Sequence, residues 1–312
     1  MSKGKVIVAA PVHKILIDRL ISDGYTCEMH EHITQSVAPQ VIEDSVGIVT
    51  STRLMLDIDL IDKAPHLKWI GRMGSGMEVI DVQYAQSKGI ACYGSPEGNC
   101  NAVAEHALGM LLALIRRISV SNNEVKNGIW RRNENRGVEL EGKTIGIIGF
   151  GHTGRALAKK LIGFDMNILA YDKYAENDFP GYVKKCTGLN EIYETADIIS
   201  FHVPQQPDTY HYFDDIFFNN MKNIFILLNT SRGQVVDLLT LHKGINRGKI
   251  IGACLDVFES EPISTLEGER KEAIDELLKH PAVMATPHIA GYTYEALYKM
   301  SNVLADRICG NF

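Results

Sequence analysis

Three short motifs late in the chain hold side chains able to grip a carboxylate and move a proton. They are N-T-S-R-G-Q-V-V-D at 229–237, L-D-V-F-E-S-E-P at 255–262 and T-P-H-I-A-G-Y-T at 286–293. Arg232 offers a planar fork that fits a carboxylate with two parallel hydrogen bonds. His288 can carry a proton near neutral pH. Glu261 could orient that imidazole and stabilise its charged form, as the third group of a catalytic triad does. Taken singly, each has a bland reading: a surface ion pair, a cap before proline, a structural histidine. In company with a nucleotide loop they form a coherent site for hydride transfer.

That loop lies upstream, in G-F-G-H-T-G at 149–154. G-x-G-x-x-G alone is weak evidence, but here it follows an apolar strand and opens a helix, the context that gives it meaning. Gly149 allows the tight turn, Gly151 lets backbone approach a pyrophosphate, and Gly154 lets helix pack on strand. After His152 the helix opens at Thr153, and its free N–H groups and positive end suit phosphates. The next strand ends in Y-D, placing Asp172 to bond the ribose hydroxyls and repel a 2′-phosphate. NAD is therefore expected over NADP, with Lys173 next door softening the preference slightly. No metal-ligand cluster is visible, and no metal is expected.

Elements must carry these groups to one place. Short apolar runs at 6–10, 47–51, 68–73 and 89–94 alternate with helical patterns such as 13–24, which ends on Gly24. A long apolar helix follows at 101–117, then a polar stretch to about 143. Alternation then restarts, with strands expected at 144–150, 166–171, 197–203, 223–230, 250–257 and 282–287. Strands alternating with helices imply parallel α/β sheets, and the three motifs each end a strand, where open α/β sheets bind ligands. The charge-rich segment 264–280 reads as a solvated helix. The final helix, 295–308, has no obvious place in the second sheet.

Composition bounds the alternatives. The 312 residues suffice for two domains. A net charge of -6 gives no global basic field for nucleic acid. No apolar run reaches the length of a membrane span or signal peptide. The six cysteines are scattered, as expected of thiols in a reducing compartment, and the cytoplasm is the default location.

The ordered set G-F-G-H-T-G, Y-D, H-V-P, N-T-S-R-G-Q-V-V-D, D-V-F-E-S-E-P and P-H-I-A-G resembles the NAD-dependent D-2-hydroxyacid dehydrogenase family. The likeness extends to G-R-M-G-S-G-M-E-V-I-D at 71–81 and N-A-V-A-E-H at 101–106. It implies two doubly wound parallel-sheet domains, a Rossmann cofactor domain (99–289) inserted in a flavodoxin-like substrate domain (1–98 and 290–312). It implies that Arg232 binds the substrate carboxylate, that His288 is the acid/base and that Glu261 is its partner. Glu259 is a local rival, but the family's catalytic Glu immediately precedes the Pro. Gly74, Ser75 and Gly76 would complete the carboxylate site, Asp256 would face the nicotinamide carboxamide, and His202, Val203, Pro204 and Thr230 would line the cofactor cleft beside Arg232 and His288. His288 would sit at the crossover between domains, where closure brings it to the substrate.

Two departures stand out: Glu78 and Val79 in the 71–81 loop, and a longer link over 263–280. The expected reaction joins NAD(H) to a D-2-hydroxy acid, with 3-phosphoglycerate preferred and glyoxylate or hydroxypyruvate reduction as the alternative. Arg53, Arg72, Arg131 and Arg132 are the basic candidates for a substrate phosphate. The chain stops soon after its last helix, so feedback by serine through a C-terminal regulatory domain is not expected. A reading of another class is a non-catalytic NAD(H) sensor resembling the family's corepressors, which turnover would separate. A homodimer built on 101–117 and the stretch after it is implied.

Overall fold

A computed structural model describes residues 2–175 and 179–310. Contacts divide the chain into two units, one made of the residues up to Cys100 and from Tyr292 onward, the other of Asn101–Gly291.

The first unit carries β1 (Gly4–Val8), β2 (Tyr25–Met29), β3 (Ser45–Thr50), β4 (Trp69–Arg72) and β5 (Ala91–Tyr93). All pairings are parallel, in the order β2-β1-β3-β4-β5. This is the flavodoxin-like order, with its switch point between β1 and β3. β3 and β4 are buried almost throughout, as strands covered on both faces must be. β2 was not anticipated, because as an edge strand it alternates half-buried and exposed residues and shows no apolar run. The C-terminal helix Tyr294–Cys309 belongs here. It packs on the helix Lys14–Ser22 through an Arg19–Asp306 ion pair of 2.6 Å and a hydrogen bond from the His13 N–H to buried Ser301 Oγ.

The second unit carries β6 (Thr144–Ile148), β7 (Asn167–Tyr171), β8 (Lys184–Lys185), β9 (Ile198–Phe201), β10 (Phe225–Asn229), β11 (Ile250–Leu255) and β12 (Val283–Ala285). The all-parallel order β12-β11-β10-β9-β6-β7-β8 is the Rossmann order extended by one strand. Alternate residues feed two cores. Ile226 and Leu228 face the side covered by the helices Pro96–Ile115 and His152–Leu161, while Leu227 faces Phe213, Phe217 and the helices Leu238–Asn246 and Gly268–Lys279. Each such side chain contributes about 1.5–3 kcal/mol on burial.

Three expectations change. The apolar helix begins at Pro96, and part of the stretch read as polar forms a second helix, Ile118–Lys126, which buries no residue. The segment 264–280 is not wholly solvated: a 3-10 turn, Ile263–Thr265, leads to the helix Gly268–Lys279, whose Ala273, Ile274 and Leu277 enter the core. Among the described residues, no helix is long and apolar enough to cross a membrane.

Candidate active site

Every motif of the second unit emerges from the carboxyl end of a strand: the glycine loop after β6, Asp172 after β7, His202 after β9, Thr230–Arg232 after β10, Asp256–Glu261 after β11 and His288 after β12. Parallel strands make this convergence automatic, since all their carboxyl ends share one edge.

The glycine loop can be tested for a dinucleotide by what side chains would do there. Gly149 has φ +91°, and a Cβ would fall 2.5 Å from the His202 carbonyl oxygen; at Gly154 it would fall 2.2 Å from the Gly149 carbonyl oxygen. At Gly151 a Cβ would meet nothing, so the space against the loop is open. The helix His152–Leu161 has no side-chain cap, and the positive end of its dipole suits an anion. Two buried polar atoms nearby in the fold, His202 Nδ1 and Thr230 Oγ1, have no protein partner. His202 Nε2 pairs with Ser200 Oγ at 2.8 Å, and burial pushes its pKa down to about 4. These residues fit a nicotinamide dinucleotide.

Asp172 has a second duty that the sequence did not show. It accepts hydrogen bonds from the N–H groups of Phe150 (2.7 Å), Tyr174 (2.8 Å) and Ala175 (3.0 Å). A carboxylate has about four acceptor positions, so Asp172 braces the loop and keeps a position on Oδ2 for a ribose hydroxyl. The Lys173 ammonium next door pairs with Asp208 at 2.7 Å.

His288 and Glu261 meet directly, Nδ1 to Oε2 at 2.5 Å, and Glu261 Oε1 accepts the Phe258 N–H at 2.9 Å. Burial raises the Glu261 pKa, but the hydrogen bonds from His288 and Phe258 and the charges of His288 and Arg232 outweigh it and hold it below the ordinary value. Arg232 is thus close enough for its charge to bear on Glu261. Its turn is built by Asn229, whose Oδ1 accepts Ser231 N and Oγ and whose Nδ2 donates to the Arg232 carbonyl oxygen at 2.9 Å. The rival Glu259 is engaged elsewhere, with Arg270 at 2.6 Å and the Leu238 N–H at 2.7 Å.

Asp256 braces the segment that carries His288. Only 1% exposed, it accepts from Thr286 Oγ1 (2.5 Å), Ile289 N (2.9 Å) and Ala290 N (2.8 Å), while its carbonyl oxygen accepts the His288 N–H at 2.8 Å. It holds the histidine loop, in which His288 has φ +55°, a conformation non-glycine residues keep only when neighbours enforce it. His106, on the helix Pro96–Ile115, adds a hydrogen bond between its Nε2 and Thr286 Oγ1 at 2.9 Å. Neither Asn229 nor His106 was singled out from sequence, since both act through contacts distant along the chain.

In the first unit, the 74–76 loop follows β4. The Gly74 N–H is engaged by Ser95 Oγ at 2.9 Å and the Arg72 carbonyl oxygen at 3.0 Å, which leaves Ser75 and Gly76 as its donors. Arg72 is buried, with Nη1 on the Met73 carbonyl oxygen at 3.0 Å, so it is withdrawn as a phosphate contact. Arg53 is exposed, as are Arg131 and Arg132 in the second unit, the former 3.6 Å from Glu124.

Residues 108–290 match the family model described as D-isomer specific 2-hydroxyacid dehydrogenase, NAD binding domain. The chain is 35% identical over 309 residues to a hydroxypyruvate reductase of Thermotoga maritima, covering 99% of this chain and 98% of that protein. It is 34% identical over 305 residues to a D-3-phosphoglycerate dehydrogenase of Archaeoglobus fulgidus, covering 97% of this chain but only 56% of that protein's length. A D-lactate dehydrogenase of Aquifex aeolicus, solved with NAD and lactic acid, superposes with a TM-score of 0.85 at 28% identity, covering 97% of this chain and 94% of that one.

Proposed function

The chain belongs to the D-isomer specific 2-hydroxyacid dehydrogenase family, and on that premise we propose that it transfers a hydride between NAD(H) and a D-2-hydroxy acid or its 2-oxo acid. The observation that carries the proposal is the 2.5 Å contact of His288 with Glu261, beside Arg232 and on the same strand edge as the open glycine loop. Bound at that loop, NADH would supply the hydride for the substrate carbonyl. Arg232 holds the substrate carboxylate and polarises the carbonyl. Protonated His288 gives its proton to the developing alkoxide from Nε2, the nitrogen not turned to Glu261. The Glu261 carboxylate stabilises the imidazolium beforehand and fixes the ring. In oxidation, neutral His288 accepts the hydroxyl proton. Asp256 and His106 keep the loop that presents it in place.

For substrate we favour 3-phosphoglycerate and 3-phosphohydroxypyruvate, with Arg53 as the phosphate contact. The identities of about one third to a phosphoglycerate dehydrogenase and to a hydroxypyruvate reductase support both this choice and its alternative, glyoxylate or hydroxypyruvate reduction. The test is NADH oxidation with 3-phosphohydroxypyruvate, hydroxypyruvate and glyoxylate, using wild type and Arg53→Ala. A rise in KM confined to the phosphorylated acid supports the first choice; equal losses on all three remove Arg53 from phosphate binding.

We also propose a homodimer, built on the stretch after the apolar helix. The helix Pro96–Ile115 buries its Ala104, Ala107, Met110 and Leu111 inside its own unit. The unsatisfied apolar surface lies in the following stretch, where Ile118, Val125, Ile129 and Val138 are exposed and Trp130 is 82% exposed. The six cysteines are free thiols, which suits the proposed cytoplasmic location.

A further inference from the structure

One ionic cluster stands behind the catalytic turns without joining the chemistry. We propose that Arg270 is a positioning residue for the reaction, clamping the loop that bears Glu261 against the turn that bears Arg232. The inference rests on the reading of those two residues given above.

Arg270 lies in the helix Gly268–Lys279, within the segment whose length departs from the family pattern. Its Nη1 donates to Glu259 Oε1 at 2.6 Å, and Nη1 and Nη2 donate to Asp237 Oδ1 at 3.2 and 3.1 Å. Glu259 is two residues before Glu261. Asp237 is five residues after Arg232, and it caps the helix Leu238–Asn246 by accepting from Thr240 N at 3.0 Å and Thr240 Oγ1 at 2.6 Å. Between these anchors the two backbones touch: a Cβ on Gly233 would lie 1.8 Å from the Phe258 carbonyl oxygen. Two carboxylates from two loops therefore face each other across a tight contact. The hydrogen bond from the Leu238 N–H to Glu259 Oε1, 2.7 Å, is one direct link across it, and the guanidinium fork offsets the repulsion between the two carboxylates.

His211 completes the cluster, with Nε2 3.4 Å from Glu259 Oε1 and Nδ1 3.7 Å from Asp237 Oδ1. His211, Asp237 and Glu259 could together offer a metal three ligand atoms. Arg270 already supplies a cation to both carboxylates, so the arrangement is a clamp. The additional length of the 263–280 segment thereby gains a purpose: it delivers a side chain that ties two catalytic loops from behind.

The test compares wild type, Arg270→Gln, Arg270→Lys, Glu259→Gln and the double variant Arg270→Gln/Glu259→Gln, with Lys271→Gln as a control on the same helix. Steady-state constants are measured alongside hydrogen exchange of residues 256–262. Arg270→Gln is expected to lose about ten- to hundred-fold in kcat through misplacement of reacting groups, with KM for NADH unchanged. Arg270→Lys should fall between it and wild type. Adding Glu259→Gln should restore part of the loss, because the repulsion is gone, and exchange should quicken in Arg270→Gln and slow again in the double variant. Wild-type kcat and exchange in Arg270→Gln, or strictly additive losses in the double variant, would overturn the clamp. Should wild type turn over no 2-oxo acid, the catalytic reading fails, while the exchange pattern still decides whether Arg270 holds the loops together.

Discussion

In the proposed mechanism Glu261 acts on His288 through charge, and that charge can be removed without removing the hydrogen bond. In the proposed reaction His288 gives a proton to the alkoxide during reduction and takes one from the hydroxyl during oxidation. Glu261→Gln keeps a hydrogen-bonding partner for the ring but removes the adjacent carboxylate charge. At neutral pH, reduction should lose about ten-fold or more, within the range of general acid catalysis. Wild-type kcat/KM for reduction in Glu261→Gln would show that Glu261 does not govern the histidine. A second residue makes a stability test. His202 is held near pKa 4 by burial, against an ordinary 6.5. Between those values the unfolded chain binds a proton that the folded one refuses, so stability should fall with pH, by about 2 kcal/mol at pH 5. Urea unfolding at pH 7 and pH 5 should show this difference in wild type and a smaller one in His202→Asn. The chemistry-bearing residue types were plain in the sequence, because Arg232, Glu261 and His288 stand in short motifs. Asn229, His106 and Arg270 were not, because what they do depends on partners brought together only by folding.

The loops that meet at Gly233 are as important to the site as the strands that carry them. A side chain there would press on Phe258, whose N–H is one of the bonds holding Glu261. Gly233→Ala should part the two turns, lowering kcat about ten- to hundred-fold while the far-UV circular dichroism stays native. Wild-type kcat would show that the contact is not needed. Strands with continuous apolar runs were legible: β3, β6, β9, β10 and β11 each fall within or beside an expected run. β2 and the two-residue β8 were not, since edge strands bury little and carry no run. The helix Ile118–Lys126 escaped for a related reason, having no buried stripe to reveal a period. Within Gly268–Lys279 the charged residues concealed three apolar positions that face the core.

For the molecule as a whole, the sequence pattern conveyed two parallel sheets because their strands and helices alternate, and the sheet orders then follow known winding rules. The place of the last helix was legible only through family resemblance, for its partner is the helix near the start of the chain. Assembly is a property of the exposed surface. Sedimentation at micromolar concentration should give a dimer, and Trp130→Glu should shift it toward monomer; a wild-type monomer would refute the interface. The most direct test is the rate of NADH oxidation with the panel of 2-oxo acids, measured for wild type and His288→Asn together with NADH binding by fluorescence. Expected is turnover of at least one 2-oxo acid by wild type, a loss of about 10²–10⁴-fold in His288→Asn, and NADH binding retained by both. Absence of turnover by wild type across the panel, or full turnover by His288→Asn, would contradict it.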